Sequence, residues 1–132
     1  MKHFTQQEID GTRNYFREIG FPEVSARIGG REFRYFVFPQ AMEPGLPDFV
    51  YRCTGKPEDG YVLGISDHVQ EQYRKYAVVH EYIEFLELGM HEAHHCARAL
   101  EEEVRLVPED IKQGYVTMRR EFFQNLIAYC AD

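Results

Sequence analysis

Hydrophobic positions recur with helical spacing at both ends of the chain and with strand spacing in its middle. In residues 5–19 apolar and aromatic side chains return every three or four positions, and Gly20 and Pro22 follow, so we predict a helix there. Thr5 and Glu8 form a capping-box pattern that suits its first turn. The side chains that we expect on its inner face are Ile9, Thr12, Tyr15, Phe16 and Ile19.

The middle of the chain alternates apolar and polar residues, which is typical of strands with one buried face. Residues 24–37 alternate on both sides of the tight-turn pair Gly29-Gly30 and therefore predict a β-hairpin. Residues 49–65 predict a second hairpin, with its turn in residues 55–60. Two consecutive hairpins predict a four-stranded antiparallel sheet.

The second half of the chain is predicted to be helical. One helix covers about residues 70–88 and ends at Gly89, a second covers 92–107, and a third runs from Pro108 to about residue 129. The apolar stripe of the second helix, with a period of 3.6, is Ala93, Cys96, Ala97, Leu100, Val104 and Val107. We therefore predict an α+β fold with an N-terminal helix, the antiparallel sheet and three C-terminal helices.

Length and charge narrow the classes of protein and partner. The chain of 132 residues fits a single domain, residues 1–132, and its hydrophobic fraction of 44% is enough for one core. Its net charge of -7 argues against nucleic acid as a ligand, because an acidic surface repels phosphates. No apolar run is long enough to span a membrane, and the first residues lack a signal peptide's hydrophobic stretch. We expect a peptide or protein as partner.

The three cysteines, Cys53, Cys96 and Cys130, are odd in number and far apart in the sequence. This pattern indicates neither a disulfide framework nor a Cys-x-x-Cys metal site, and it favours a reducing, cytoplasmic location. Each thiol has apolar sequence neighbours, so we expect all three to be buried as packing residues.

Candidate chemistry is concentrated between His80 and His95. Residues four apart lie one above the other on a helix, so His80 and Glu84 can direct a nitrogen and an oxygen at one metal ion. Glu81 lies beside them and is a candidate general base. A third ligand is expected from the next helix, with His91 or His95 as candidates. Two histidines and one glutamate predict zinc first, with iron or manganese as alternatives.

The segment 60–84, a predicted strand, a short acidic turn and a helix with Arg74 and His80-Glu81-x-x-Glu84, resembles the centre of minimal zincin metallopeptidases of the ImmA/IrrE kind. The resemblance covers about 25 residues and implies a zincin-like fold, a metal ligand at His80 and a general base at Glu81. The family's second histidine is replaced by Glu84, which gives HExxE in place of HExxH.

Two function hypotheses follow from this cluster. The first is a zincin-like metal-binding protein acting as a small hydrolase or peptidase, with Tyr115 as a candidate to stabilise an oxyanion. The second is a catalytically inactive, acidic protein-binding module on the same scaffold. The oligomeric state is not predicted by either.

The same residues also allow less specific interpretations. His80, Glu81 and Glu84 are also compatible with a solvated helix face, and the run of glutamates at 101–103 is expected at the surface. Glu92-x-x-His95 is similar to one element of a di-iron bundle, although only one copy is present.

Overall fold

The computed structural model describes residues 6–39, 50–54, 61–89 and 92–131 and shows an α+β architecture. Within these ranges, the helix that begins at Glu71 continues without interruption into a π-helical segment, Ile83–Leu88, which is followed by Gly89. No helix of the described part is long and apolar enough to cross a membrane. The elements in chain order are α1 Gln6–Glu18, β1 Glu23–Ile28, β2 Arg31–Phe38, β3 Val50–Thr54, β4 Tyr61–Ser66, α2 Glu71–Tyr82, α3 His95–Leu106 and α4 Glu109–Ala131.

The prediction of an all-antiparallel sheet is wrong, because the two hairpins join through a parallel pair. The strand order is β1-β2-β4-β3, with antiparallel pairing of β1 with β2 and of β3 with β4. The inner strands β2 and β4 run parallel, and Phe36, Val37 and Phe38 pair with Gly64, Ile65 and Ser66. Strand β4 thus lies between β2 and its own hairpin partner, β3.

Both faces of the inner strands are covered, which explains why a parallel pair is stable here. On one face Phe16 of α1 contacts the rings of Phe36 and Phe38 at centroid distances of 5.3 and 5.2 Å. On the other face Tyr35, Val37, Leu63 and Ile65 belong to the main core, together with residues of α2, α3 and α4. Residues 35–38 of β2 and 61–63 of β4 are therefore apolar without interruption, whereas the first half of β2 still alternates.

Helix α1 presents a narrower apolar stripe to the sheet than its sequence predicts. Phe16 is buried, but Tyr15 and Ile19, which we expected on the inner face, are 56% and 47% exposed. The side chains of Ile9 and Thr12 lie outside the described part of the structure. The contact of α1 with the sheet described here is therefore the small aromatic cluster around Phe16.

Helix α3 is rotated relative to the stripe that the sequence predicts. Its most buried residues are Ala99 and Glu103, each 0% exposed, whereas Cys96 and Ala97 are exposed. The helix begins at His95 after His94, whose backbone is left-handed with φ 55. Because of this rotation, Glu103, which we expected at the surface, is buried in the core.

Gly64 supplies a test of how closely the inner strands pack. A Cβ added there would lie 1.9 Å from Cζ of Phe38, a ring that is buried between α1 and the sheet. We expect Gly64→Ala to lower the free energy of unfolding by roughly 3 kcal/mol, since an overpacked core must shift side chains or backbone. Urea denaturation measures this change.

Gly11 in α1 provides the matched control, because no described atom lies within 4 Å of its added Cβ. Gly11→Ala should raise the stability by about 0.5–1 kcal/mol through helix propensity. Equal stabilities of the Gly64→Ala protein and the wild type would contradict the packing described for β4.

Candidate functional site

His80 lies in the last turn of α2 and is almost fully buried, with 3% of its surface exposed. Its Nδ1 donates a hydrogen bond of 2.8 Å to Oε1 of Glu103, which reaches it from α3. Glu84 is also buried, with 6% exposed. The alternative of a solvated helix face is therefore wrong for His80 and Glu84.

Glu103 carries its carboxylate into the core and receives donors from two further side chains of α4. Arg119 donates from Nε to Oε2 at 2.6 Å and from Nη2 to Oε1 at 3.1 Å. The hydroxyl of Tyr115 also donates to Oε2. A buried carboxylate is costly unless it is paired and hydrogen-bonded, and here a guanidinium and two further donors meet that need.

The second ring nitrogen of His80 faces a different set of atoms. Nε2 lies 3.7 Å from Oε2 of Glu84 and 3.7 Å from Sγ of Cys96. Among the described residues, His80, Glu84 and Cys96 form a group whose donor atoms all lie within 4.8 Å of one another. The group is built from three elements, namely α2, the π-helical segment and α3.

Two of the three separations in this donor set, and its chemistry, fit a transition metal. Ligands at 2.0–2.3 Å around a tetrahedral ion are separated by about 3.3–3.8 Å. The separations of 3.7 Å from His80 Nε2 already lie in that range. Imidazole, carboxylate and thiolate are all ligands that zinc accepts.

His95 supports Glu84 and does not join the three-atom group. Its Nδ1 donates a hydrogen bond of 3.0 Å to Oε2 of Glu84. His91, the other candidate for a third ligand, lies outside the described residues. The structure therefore offers Cys96 at the position where the sequence led us to expect a histidine.

The charges around His80 favour its protonated form in the metal-free protein. Burial opposes a positive charge, but the hydrogen bonds with Glu103 and Glu84 outweigh it and raise the pKa of His80 to about 10. The pKa of Glu84 is lowered because the contacts with His80 and His95 outweigh its burial. Burial raises the pKa of the Cys96 thiol, and the charge of His80 only partly offsets this effect.

Glu81 and Tyr115, the two residues to which we assigned catalytic roles, lie near His80 but outside the ligand group. One carboxylate oxygen of Glu81 is buried, and its charge acts on both His80 and Arg119. Tyr115 is 0% exposed, and its hydroxyl is engaged with Glu103. Burial and the charge of Glu103 raise the pKa of Tyr115 well above 10, so it stays a neutral donor. The roles of general base and oxyanion stabiliser stay predictions.

Two residues of this site, Cys96 and Glu103, were missed in the sequence. Cys96 is exposed, so the expectation that it packs in the core is wrong. Cys96, Ala99 and Glu103 are spaced i, i+3 and i+7, which places them along one face of α3. The sequence indicated this only through its spacing, in which a glutamate follows a cysteine by two helical turns with a small alanine between them on the same face.

The di-iron alternative finds no support in the position of Glu92. Its carboxylate accepts a hydrogen bond of 2.7 Å from Arg98, and both side chains are about half exposed. The histidine three residues later, His95, instead contacts Glu84. The two residues of the Glu-x-x-His pattern therefore contact different partners and do not converge on one position.

The π-helical segment begins directly after the turn that carries His80. It holds Glu84 in its first turn, and the N–H of Gly89 bonds to the carbonyl of Glu84 at 2.9 Å, closing an i+5 ring. Single π-helical turns occur frequently at functional sites. The local backbone is thus irregular at the element that supplies one of the three donor atoms.

Comparisons with known proteins leave the site to be interpreted from its own geometry. No protein-family model matches the chain, and no curated protein or solved structure matches it at a significant level. The zincin resemblance accordingly stays a prediction.

Replacing Glu103 tests whether its buried contacts hold α3 and α4 together. We expect Glu103→Leu to lower the free energy of unfolding by roughly 3–5 kcal/mol, because Arg119 would keep a buried charge without its carboxylate. Chemical denaturation of the metal-free protein measures the loss. The matched control is Glu101→Leu, an exposed glutamate of the same helix, which should change stability by about 0.5 kcal/mol or less. Similar losses in both variants would contradict the role of Glu103.

Proposed function

We propose that this protein binds one divalent transition metal ion, with zinc as the first candidate, through His80, Glu84 and Cys96. The observation that carries the proposal is the convergence of three donor atoms of different chemistry within 4.8 Å. Each comes from a separate element, so the ion would also tie α2, the π-helical segment and α3 together. Metals bound in this way contribute to the stability of the fold.

The charges of the site suit a divalent ion. The Glu84 carboxylate and the Cys96 thiolate together supply two negative charges, which balance a charge of +2. Outside this group, Arg119 balances Glu103. Because Nδ1 of His80 is held by Glu103, Nε2 is the nitrogen presented to the ion, as in carboxylate–histidine–zinc arrangements. His95 holds Glu84 in a similar way.

The thiolate decides among the candidate metals. Soft thiolate ligands favour zinc over manganese, which prefers oxygen ligands, and zinc binds nitrogen, oxygen and sulfur sites more tightly than ferrous iron does, so zinc ranks above both. A reducing compartment such as the cytoplasm keeps the exposed Cys96 thiol available for binding.

Zinc affinity tests the proposal directly. Purified metal-free protein should bind about one zinc per chain in competition with a chromophoric chelator, and Cys96→Ala should weaken binding by at least tenfold. Cys96 is exposed, so its replacement leaves the core intact. With cobalt in place of zinc, the wild type should show a thiolate-to-metal charge-transfer band that Cys96→Ala lacks.

His94→Asn is the matched control, because His94 is an exposed histidine beside the site and asparagine tolerates its left-handed backbone. This variant should keep wild-type affinity. Stoichiometric zinc binding that survives in Cys96→Ala, or no zinc binding by the wild type, would overturn the assignment.

We further propose that the bound ion serves hydrolysis of a peptide or related carbonyl substrate. Three protein ligands leave a tetrahedral ion one open position, which is typical of catalytic rather than structural zinc sites. The side chain of Cys96 is exposed, so this part of the group is accessible from solvent. When bound, the ion would supply a Lewis acid that promotes the deprotonation of water near neutral pH. Glu81 is the chain's candidate to accept that proton.

The alternative is a catalytically inactive protein-binding module in which the ion only stabilises the scaffold. It is favoured by one feature of the same site, namely the two anionic ligands that neutralise the charge of the ion and weaken it as a Lewis acid. A protein partner with a basic surface would then suit the net charge of -7.

Glu81→Gln distinguishes the two functions. If Glu81 accepts the proton, this variant should lose hydrolysis of a peptide library by at least a hundredfold while zinc affinity stays within a factor of three. Mass spectrometry of the cleaved library and the chelator competition measure the two quantities. Hydrolysis that persists in Glu81→Gln would refute its role as the base. Absence of hydrolysis in the zinc-loaded wild type would leave the binding module.

A further inference from the structure

A cleft opens where the two inner strands separate. The parallel pairing of β2 and β4 covers only Phe36–Phe38 against Gly64–Ser66, and the preceding residues of the two strands lie outside this register. A cavity of about 410 Å³ lies at this place, between α1 on one side and the end of α2 on the other. Its volume is that of a site for a small molecule.

The rim of the cleft is positively charged, although the whole chain is acidic. Among the described residues, Arg13, Arg17 and Arg34 line it together with the acidic residue Glu23, so these four side chains carry a net charge of +2. Arg17 shares its charge with Glu23 through two hydrogen bonds of 3.3 Å. Arg34 on β2 is exposed. Arginines gathered at a concave surface are suited to carboxylate or phosphate groups.

The interior of the cleft is apolar and contains flat side chains. The rings of Phe33 and Tyr82 lie 5.5 Å apart with an interplanar angle of 33°, and Leu63 and Leu86 line the same cavity. An aromatic ring inserted beside them would bury apolar surface in an offset-stacked or tilted arrangement. Apolar walls around a few placed charges are typical of small-ligand sites.

We propose that this cleft binds a small organic anion with a flat apolar body, of which an aromatic carboxylate is the simplest example. The anionic group would lie among Arg13, Arg17 and Arg34, and the apolar body would contact Phe33 and Tyr82. Tyr82 is two residues beyond His80 and therefore lies on a different side of the helix from the candidate metal group. This second site does not depend on the proposed metal function.

Calorimetric titration with 2-naphthoate tests the proposal on the metal-free full chain. The wild type should bind one naphthoate, and 2-naphthol, which lacks the charge, should bind at least tenfold more weakly. Inorganic phosphate, which lacks the apolar body, should fail to displace naphthoate at equal concentration. Arg34→Gln and Arg13→Gln should each weaken naphthoate binding about tenfold, which corresponds to the loss of one charge-assisted hydrogen bond.

Two controls separate this site from its surroundings. Arg27→Gln removes an exposed arginine of the same hairpin that does not line the cleft, and it should leave the affinity unchanged. Cys96→Ala should also leave it unchanged, since the candidate metal group is not involved. No binding of naphthoate by the wild type would overturn the proposal. So would equal binding of naphthol, full displacement by phosphate, or affinities of the Arg13 and Arg34 variants equal to that of the wild type.

Discussion

The burial of one carboxylate, that of Glu103, is the constraint on which the helical half of this molecule depends. Taking a carboxylate out of water costs several kcal/mol, and the chain offsets that cost with donors from two other helices. His80 reaches Glu103 from α2, and Arg119 and Tyr115 reach it from α4. Each donor reaches Glu103 only if its helix has the correct position along its axis and the correct rotation about it. The contact therefore fixes how α2, α3 and α4 pack together. An apolar core residue at this position would leave that rotation far less determined.

The same contact orients the candidate metal group. A histidine with two free nitrogens can turn either one inward, but Nδ1 of His80 is engaged with Glu103, and this leaves Nε2 towards Glu84 and Cys96. On the other side His95 holds Glu84. Each of these two donors is thus positioned by a neighbour before any ligand arrives, which lowers the reorganisation that binding requires. The side chains that stabilise the packing of the helices are therefore partly the same ones that orient the candidate metal ligands.

The sequence predicts the part of this site whose residues are close together in one continuous helical stretch, and not the part that a second helix contributes. His80 and Glu84 are recognisable together because four residues along a helix bring two side chains to one face, and the structure keeps them adjacent. Their partners on α3 depend on the rotation of a second helix. Its apolar stripe of Cys96, Leu100 and Val104 gave a plausible but different rotation from the one that buries Glu103. Spacing within a helix is local information, whereas the angle between two helices is set by the buried contact itself.

The parallel strand pair was indicated in the sequence, although we did not predict it. Residues 35–38 and 61–63 are unbroken apolar runs, which are typical of strands that are covered on both faces.

The short parallel pairing also has a consequence for how the sheet is assembled. Each hairpin joins strands that are adjacent in the chain and can close quickly, because little chain entropy is lost. The pairing of β2 with β4 instead joins segments separated by an entire intervening strand, and it spans only three residues on each side. The sheet is therefore two locally formed units that we expect to meet late in folding, and their short pairing is completed only when α1 and the other helices cover its two faces.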